Sequence, residues 1–551
     1  MSARIFRPGE QVDFVVVGSG AAGGVIAREL SQAGHTVLVF EQGPRLGADV
    51  FAHHDELKVH YLHGITNDPV TNPQTFRDDP SRQARQLDHA NPLVYARLVG
   101  GSSVHFTANY WRFHEVDFHE HSLLGDIPGA DFADWPISYQ ELEPYYSKVE
   151  WEVGVSGLAA ASPFDPPRQK PYPMPPLPVK SSGVLFELGA RKLGLHPFPA
   201  PLAITSQVYR GRPACMHCGF CGGYGCEARA KSSSVWTVIP EAEATGRCEV
   251  RSASYVYHVD TNARGRVTGV HYFDAARRSH FQPARAVVLS ANGSETPRLL
   301  LNSASNRFPD GLANSSGYVG KHLMFNQGAG VYAQFEHELN EYKSVQATRV
   351  LHDFYEVDPK RGYYGGGGID ARSSATPAAW ASAEGGELPR WGAALKQRLE
   401  GYTRTMLCQG HTTSLPVATN SVSIDPQLKD AWGIPAIRVT YKDHPDDLKF
   451  AQFMQDRSEE IMQAAGAVRT WRTAVEHRRG GVHLLGTCRM GNDPSRSVID
   501  KYHRTHDVPN LFLCDGSSFV TSGRGQPTMT IQALAFRAAH HIGEFARRNE
   551  I

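Results

Sequence analysis

The sequence lacks the features of a membrane-spanning, exported or nucleic-acid-binding protein. No apolar run approaches the roughly 18 residues that a helix needs to cross a bilayer, and the opening MSARIFRPGEQVD has no hydrophobic signal segment. Lys and Arg equal Asp and Glu at 56 each, so no net charge attracts nucleic acid or an anionic membrane. We therefore expect a soluble chain with no transmembrane segment, no nucleic acid partner and no export signal of its own.

Cysteine is scarce and internal repeats are absent. Eight cysteines among 551 residues are too few for a scaffold held together by disulfides. A chain of this length exceeds the size at which a single hydrophobic core stops growing, so we expect two or more tightly joined lobes.

The most informative segment that is present runs from Asp13 to Glu41 and predicts a dinucleotide site. Gly18, Gly20 and Gly23 form GxGxxG between a predicted strand and a predicted helix, and a second strand ends just before Glu41. Glycines there permit a tight turn, a close approach to pyrophosphate and helix–strand packing, while the helix N-terminus favours the anion. Glu41 is placed to accept hydrogen bonds from a ribose. The predicted strands are residues 14–17 and 36–40, and the predicted helix is residues 25–33.

Four cysteines form a second motif, CMHCGFCGGYGC. Cys215, Cys218, Cys221 and Cys226 lie within twelve residues, and the intervening glycines allow the loop to wrap around one metal centre. The first three repeat the Cys-x2-Cys-x2-Cys run of bacterial ferredoxins, whereas the fourth comes one residue late. Three interpretations remain open: an iron–sulfur cluster, a structural zinc, and disulfides or free thiols.

Three further segments are expected to meet the same ligand. RLVGGSSVHFTANYW is a second glycine-rich turn, where small residues let a flavin approach. Residues 284–304 and 508–541 each contain a buried strand followed by a loop and a helix. Ligands of parallel sheets bind at the carboxyl ends of strands, so Asp515 and the start of a helix near Thr528 belong to the site. The second turn contributes Gly100, Gly101, Ser102, His105 and Asn109.

Taken in this order, the GSGAAGG, GGSS, ETPRLL, GTCRMG, DGSSF and QPTMT segments resemble the glucose–methanol–choline (GMC) oxidoreductases. The resemblance implies bound FAD and an α/β fold, in which a Rossmann-like FAD domain joins a substrate domain on an antiparallel sheet. The cysteine loop and DWPISYQELEPYY resemble the bacterial sugar and glycoside dehydrogenases of this family. That branch implies an iron–sulfur cluster, 3Fe-4S or 4Fe-4S, a cytochrome c-type acceptor, and a small Tat-exported partner subunit. It therefore implies a periplasmic location by co-export; without the partner, the chain would be cytoplasmic.

The chemistry needs a base close to the flavin, because oxidising an alcohol removes a hydroxyl proton as hydride leaves the carbon. His483 matches the family's catalytic histidine, and histidine titrates near physiological pH. Gln526 matches the second family position and is limited to orienting the alcohol or stabilising an alkoxide. His105 stands where several relatives attach FAD covalently, with simple packing against the flavin as the alternative.

These observations predict an FAD domain from residues 1–325, including the cysteine loop at 211–230, and from residues 474–551. Residues 326–473 are predicted to form the substrate domain. The expected function is dehydrogenation of a sugar or glycoside hydroxyl, with electrons leaving through the cluster. The alternatives are an oxidase that uses O2, a non-redox lyase that contains FAD, and a zinc-stabilised protein whose loop docks partners.

Overall fold

A computed structural model describes residues 5–51, 65–88, 90–326, 328–339, 341–373, 376–382 and 389–551. Within them the chain forms a seven-stranded, a six-stranded and a three-stranded sheet. The strands are β1 (Val12–Val17), β2 (Val37–Phe40), β3 (Gln74–Arg77), β4 (Phe198–Pro199), β5 (Cys248–Arg251), β6 (Tyr255–Thr261), β7 (Val267–Phe273), β8 (Ser279–Leu289), β9 (Gly328–Gln334), β10 (Ala347–Leu351), β11 (Gly367–Ser373), β12 (Thr405–Thr412), β13 (Ser421–Lys429), β14 (Pro435–Thr440), β15 (Arg469–Arg472) and β16 (Leu511–Leu513). The helices are α1 (Ala21–Gln32), α2 (Glu120–Leu124), α3 (Tyr139–Val149), α4 (Ser181–Lys192), α5 (Val238–Ala244), α6 (Glu295–Asn302), α7 (Pro377–Ser382), α8 (Gly392–Glu400), α9 (Pro445–Ala464) and α10 (Pro527–Arg547).

The seven-stranded sheet is the Rossmann-like core, in the order β5-β2-β1-β8-β7-β6 with β16 beside β8. The strands β5, β2, β1, β8 and β16 are parallel, whereas β7 pairs antiparallel with the first half of β8. All but one residue of β1 are buried, which explains why it reads as a continuous apolar run. Helix α1 connects β1 to β2 and packs against α5 and α10. The predicted α/β fold is confirmed.

The six-stranded sheet is antiparallel, in the order β15-β9-β12-β11-β10-β4, and confirms the predicted antiparallel sheet. Helix α9 packs on β9 and β12, and α4 packs on α9. One strand, β4, comes from outside residues 326–473. Conversely, β13 and β14 lie within that range but pair with each other and with β3 in the three-stranded sheet.

This topology brings distant segments to one place. Parallel strands β1, β2, β8 and β16 end at the same edge of their sheet, so the loops after them share one crevice. No helix in the ranges given above is both long and apolar enough to span a bilayer.

Candidate active site

A cavity of about 400 Å³ lies at the carboxyl edge of the parallel sheet. It extends from the acid after β2 to the loops before and after β16, and it contains most of the residues predicted for cofactor binding and catalysis. The predicted residues that line it are Gly18, Gly20, Glu41, Gly101, Ser102, His105, Asn109, His483, Asp515, Gln526 and Thr528.

Two glycine-rich turns meet at the start of this cavity. Gly18 has a φ of +98°, and a Cβ there would lie 2.4 Å from the Ser290 carbonyl oxygen. A Cβ on Gly101 would lie 2.9 Å from the Cα of Gly20, so the GxGxxG turn and the GGSS turn touch backbone to backbone. Gly23 lies behind the first turn, where a side chain would collide with the Gly18 carbonyl. The turns leave room for a ligand because they carry no side chains.

Glu41 joins the same two turns. Its carboxylate accepts hydrogen bonds from the Ser19 hydroxyl at 2.7 Å and from the Gly43 amide at 3.0 Å. The Ser19 hydroxyl in turn accepts a bond from the Gly100 amide at 3.1 Å. Burial raises the pKa of Glu41, while these donors act to lower it. The glycine turns, the start of α1 and this acid together fit the adenosine diphosphate half of FAD.

The segment after β16 forms the other end of the cavity. Together with the two glycine turns and Glu41, it makes up what we call the FAD cradle. Asp515 accepts hydrogen bonds from the Thr296 hydroxyl at 2.6 Å and the amides of Asn292 and Ser517 at 3.0 and 2.8 Å. These bonds connect the loops that follow β8 and β16, and burial raises the pKa of the carboxyl. Thr528 lies in the first turn of α10, beside the same cavity.

The GGSS turn continues into residues that connect the two sheets. The Ser102 hydroxyl accepts a hydrogen bond from the Ala96 amide at 3.0 Å. The Asn109 side chain donates to Asp370 on β11 at 2.9 Å, so it links the FAD cradle to the six-stranded sheet. His105 lines the cavity, and its carbonyl accepts a bond from Gly223 of the cysteine loop at 2.9 Å.

Asn326 determines which ring nitrogen of His483 carries the proton. The Asn326 amide nitrogen donates to the carbonyls of Thr412, Ser522 and Gly523, at 3.0, 3.4 and 3.1 Å. Carbonyls only accept, so the Asn326 oxygen must be the atom that lies 2.9 Å from His483 Nδ1. Nδ1 therefore carries the proton, and Nε2 keeps the lone pair that a general base needs. Burial lowers the pKa of His483 to about 3, with smaller contributions from nearby positive charges.

Gln526 lies beside a cluster of charged groups that sequence reasoning missed. Its amide nitrogen is 3.2 Å from Nδ1 of His411, whose Nε2 is 2.9 Å from Asp370. Arg372 forms an ion pair with the same carboxylate. Asp370 and Arg372 are two apart on β11, so they share one face of the sheet, and His411 lies on neighbouring β12. In the sequence, the only sign of this cluster is that the charged residues Asp370 and Arg372 alternate with Ile369 and Ala371.

The cysteine loop lies beside this cavity. The four cysteines line a second, smaller cavity, and none of them forms a disulfide. Burial raises the pKa of the Cys215 thiol to about 12. Lys231, which is buried, donates to the carbonyls of Phe106 and Tyr224 at 2.8 Å and also to that of Cys221, which ties the loop to the turn after His105. Across the described part of the chain, no three His, Cys, Asp or Glu side chains are arranged as a metal site.

Comparisons with known proteins agree with this geometry. A family model described as GMC oxidoreductase matches residues 416–535, and one described as an NAD(P)-binding Rossmann-like domain matches residues 16–86. The chain is 36% identical to 2-methyl-1,2-propanediol dehydrogenase of Mycolicibacterium austroafricanum, over 97% of this chain and 95% of that protein.

The chain belongs to the GMC oxidoreductase family. It is also 32% identical to the fructose dehydrogenase large subunit of Gluconobacter japonicus, over 96% and 97% of the two chains. Pyridoxine 4-oxidase from Mesorbium loti has the same fold, with a TM-score of 0.61 at 18% identity over 96% and 99% of the chains. The protein is an FAD-dependent oxidoreductase that acts on CH–OH donors, as the sequence motifs predicted. The individual roles of the predicted site residues remain predictions.

Proposed function

We propose that this GMC enzyme is a dehydrogenase that oxidises a hydroxyl group of a sugar, a glycoside or a similar polyol, with His483 as the base. One observation carries the proposal: Asn326 fixes the proton on Nδ1 of His483, so Nε2 is free to accept one within the cavity that holds the FAD cradle. The two dehydrogenase relatives support this substrate class, because a 1,2-diol and fructose both carry neighbouring hydroxyl groups.

The chain's own residues move and hold the proton. Bound FAD supplies the two-electron acceptor for the substrate carbon. The low pKa of His483 keeps the imidazole neutral at physiological pH, so it can accept the hydroxyl proton. The imidazolium that results donates its Nδ1 proton to Asn326, and a bond to a charged group is stronger than one to a neutral group. Gln526 contacts the substrate by hydrogen bonding and cannot act as a base.

The test is anaerobic mixing of the purified holoenzyme with 1,2-propanediol, fructose, gluconate and a methyl glycoside. Bleaching of the flavin by at least one of them is expected. His483→Ala should bind FAD and lower the rate of bleaching by roughly 10²- to 10⁴-fold. His271→Ala, at a partly exposed position on β7, is the matched control. Bleaching at the wild-type rate in His483→Ala would contradict the proposal, and no bleaching by any hydroxyl compound would favour the lyase alternative.

We also propose that FAD is attached covalently at His105. The position of this side chain supports the proposal, since His105 lines the same cavity as Gly101 and Ser102 of the preceding turn. Acid precipitation should leave the yellow colour in the protein pellet, and His105→Ala should release it. Release of all FAD from the wild-type protein would show that His105 only packs against the flavin.

A further proposal is that Cys215, Cys218, Cys221 and Cys226 hold a 3Fe-4S or 4Fe-4S cluster, by which electrons leave the enzyme for a cytochrome c-type acceptor. The support is that four thiols line one cavity on a loop bonded to the flavin cavity through Gly223. Thiols are the ligands that iron–sulfur clusters require, and some reorientation of the side chains is needed to bring them together.

Elemental analysis tests this proposal, because about three or four irons per chain are expected for these clusters. Cys221→Ser should remove iron while substrate still bleaches the flavin in a single turnover, and steady-state transfer to cytochrome c should collapse. Cys408→Ser, at a buried position on β12, is the matched control. One zinc and no iron would exclude the cluster and would favour the oxidase alternative, in which O2 is the acceptor.

The partner and the location are proposals as well. We propose a small Tat-exported subunit that carries this chain to the periplasm; the relative named as a large subunit supports a multi-subunit assembly. Cell fractionation and affinity purification from the native cell should recover the chain in the periplasm with a smaller subunit. A fully active chain recovered alone from the cytoplasm would contradict this.

A further inference from the structure

Gln526 lines the same cavity as His483, and its hydrogen-bonding role depends on which way its amide is turned. If the nitrogen faces the substrate, the residue donates to the substrate oxygen; if the oxygen faces the substrate, it accepts from a hydroxyl. The neighbours of Gln526 determine which orientation holds, just as three carbonyls determine the orientation of Asn326.

The first step is the environment of Asp370, which is fully buried on β11. Its Oδ2 atom lies 2.9 Å from the Asn109 amide nitrogen, 2.8 Å from Nη2 of Arg372 and 2.9 Å from Nε2 of His411. The ion pair with Arg372 keeps this carboxyl ionised, and its pKa is well below the usual range. A carboxylate only accepts hydrogen bonds, so each neighbouring nitrogen must present a proton.

The second step is the tautomer of His411. A lone pair on Nε2 would face the carboxylate oxygen at 2.9 Å and be repelled, so Nε2 carries the proton. Arg372 Nη2 also lies 2.9 Å from this nitrogen, and a bond there would need a lone pair on Nε2. Arg372 Nη2 instead donates to Asp370 Oδ2 at 2.8 Å, because a carboxylate is a stronger acceptor than a neutral imidazole. Burial, together with the charge of Arg372, lowers the pKa of His411 and keeps the ring neutral. His411 Nδ1 is therefore an acceptor.

The third step is the amide itself. An acceptor at His411 Nδ1 requires the Gln526 nitrogen to point toward it, and the two atoms are 3.2 Å apart. The amide oxygen is then left for the cavity that Gln526 lines. This oxygen cannot share the proton of the reacting hydroxyl, because that proton goes to His483.

We infer that Gln526 presents its carbonyl oxygen to the substrate and selects compounds with a second hydroxyl beside the one that is oxidised. The inference rests on the proposed function and narrows its substrate class to vicinal diols and sugars. His411 and Asp370 are positioning residues that act through Gln526. A site built to bond a substrate hydroxyl discriminates against an analogue that lacks it, because its own polar group is left unpaired.

The experiment compares 1,2-propanediol with its two monomethyl ethers, 1-methoxy-2-propanol and 2-methoxy-1-propanol, and the comparison uses the ether that keeps the hydroxyl that the enzyme oxidises. Binding without turnover is measured with pinacol and its monomethyl ether, since tertiary carbons cannot be oxidised. The flavin absorbance change on titration gives the Kd. The wild-type enzyme should favour the free diol by at least about 10-fold in both kcat/KM and Kd, the value of one buried hydrogen bond. Equal values for each pair would overturn the inference.

Two variants of His411, each with an amide in place of one ring nitrogen, separate the positioning of Gln526 from an effect on folding. His411→Gln places an amide near Nε2, so it keeps the contact with Asp370 and loses the Nδ1 acceptor. His411→Asn places an amide oxygen near Nδ1, so it keeps an acceptor for Gln526. The preference for the diol should fall to less than about 3-fold in His411→Gln and be largely kept in His411→Asn. Full preference in His411→Gln, or equal loss in both variants with FAD bound, would contradict the inference.

If neither variant binds FAD, Asp370→Leu tests the same idea. It removes the acceptor of Nε2 and leaves the Arg372 donor 2.9 Å from this nitrogen, so the proton of His411 moves to Nδ1. The Gln526 nitrogen then turns toward the cavity, and the preference should shift to the ether. An unchanged preference for the diol would overturn the inference. Failure of the proposed function is recognised separately: in that case no hydroxyl compound bleaches the wild-type flavin, while the pinacol titration still reports how Gln526 binds.

Discussion

Replacing Asn326 should show how much its hydrogen bond to His483 contributes to the reaction, while His483 itself stays in place. We consider Asn326→Leu, which has a similar volume and no polar atoms. The variant loses the oxygen that accepts the Nδ1 proton of His483 at 2.9 Å. His483 would then be free to turn or to place its proton on Nε2, and the imidazolium formed during oxidation would lose its hydrogen-bond acceptor.

The expected magnitude follows from the type of bond that is lost. A hydrogen bond to a charged group contributes about 1.5–3 kcal/mol. Since about 1.4 kcal/mol corresponds to a tenfold change in rate, flavin reduction should slow by roughly 10- to 150-fold. The substitution also leaves the carbonyls of Thr412, Ser522 and Gly523 without this donor, so the free energy of unfolding should fall by about 1–3 kcal/mol.

The assay is stopped-flow reduction of the bound flavin without oxygen, which isolates the proton and hydride steps from product release. Asn420→Leu is the matched control, because Asn420 is buried and bonds to the Lys442 backbone away from the cavity. It should lower stability and leave the reduction rate within about 2-fold. Adding Asn326→Leu to His483→Ala should have little further effect, because the two residues act as a unit. A wild-type reduction rate in folded, FAD-bound Asn326→Leu would refute the reasoning.

Three further predictions concern the cradle, the cysteine loop and pH. In the His105→Ala background, where FAD is not covalently bound, Glu41→Ala should weaken FAD binding by roughly 10- to 100-fold, since it removes the bonds to Ser19 and Gly43; unchanged retention of FAD on dialysis would contradict this. Lys231→Met should lower the melting temperature and open residues 211–230 to limited proteolysis, because two loop carbonyls and that of Phe106 lose their donor; an unchanged cleavage pattern would argue against it. Burial lowers the pKa of His503 to about 3 in the folded protein, whereas in the unfolded chain this histidine binds a proton below pH 6.5. The free energy of unfolding therefore falls as the pH decreases from 6.5 toward 3, and His503 has no such effect above pH 6.5. His503→Gln should therefore flatten the loss of stability between these values by at most about 1.4 kcal/mol per pH unit, as measured by denaturant unfolding.

The local elements of the FAD cradle follow from the sequence because they are formed by neighbouring residues. The predicted second strand, residues 36–40, matches β2 to within one residue, and the buried strand predicted within residues 508–541 is β16. The helix predicted near Thr528 begins at Pro527. Apolar periodicity, glycines and the positions of acids encode these units directly. The family motifs then place His483 and Gln526 in one site, and the structure puts both beside the same cavity.

Only the tertiary structure decided which groups surround these two residues. Asn326, Asp370 and His411 are far apart in the chain, and they meet His483 and Gln526 because β11 pairs with β12 and the six-stranded sheet lies against the cradle. Such contacts depend on strand register and sheet packing, which no local pattern specifies. The sequence by itself determined the cradle, the candidate base and four clustered cysteines. The fold decided which ring nitrogen of each histidine carries the proton and which way each amide is turned. Both depend on the donors and acceptors that packing brings next to these side chains.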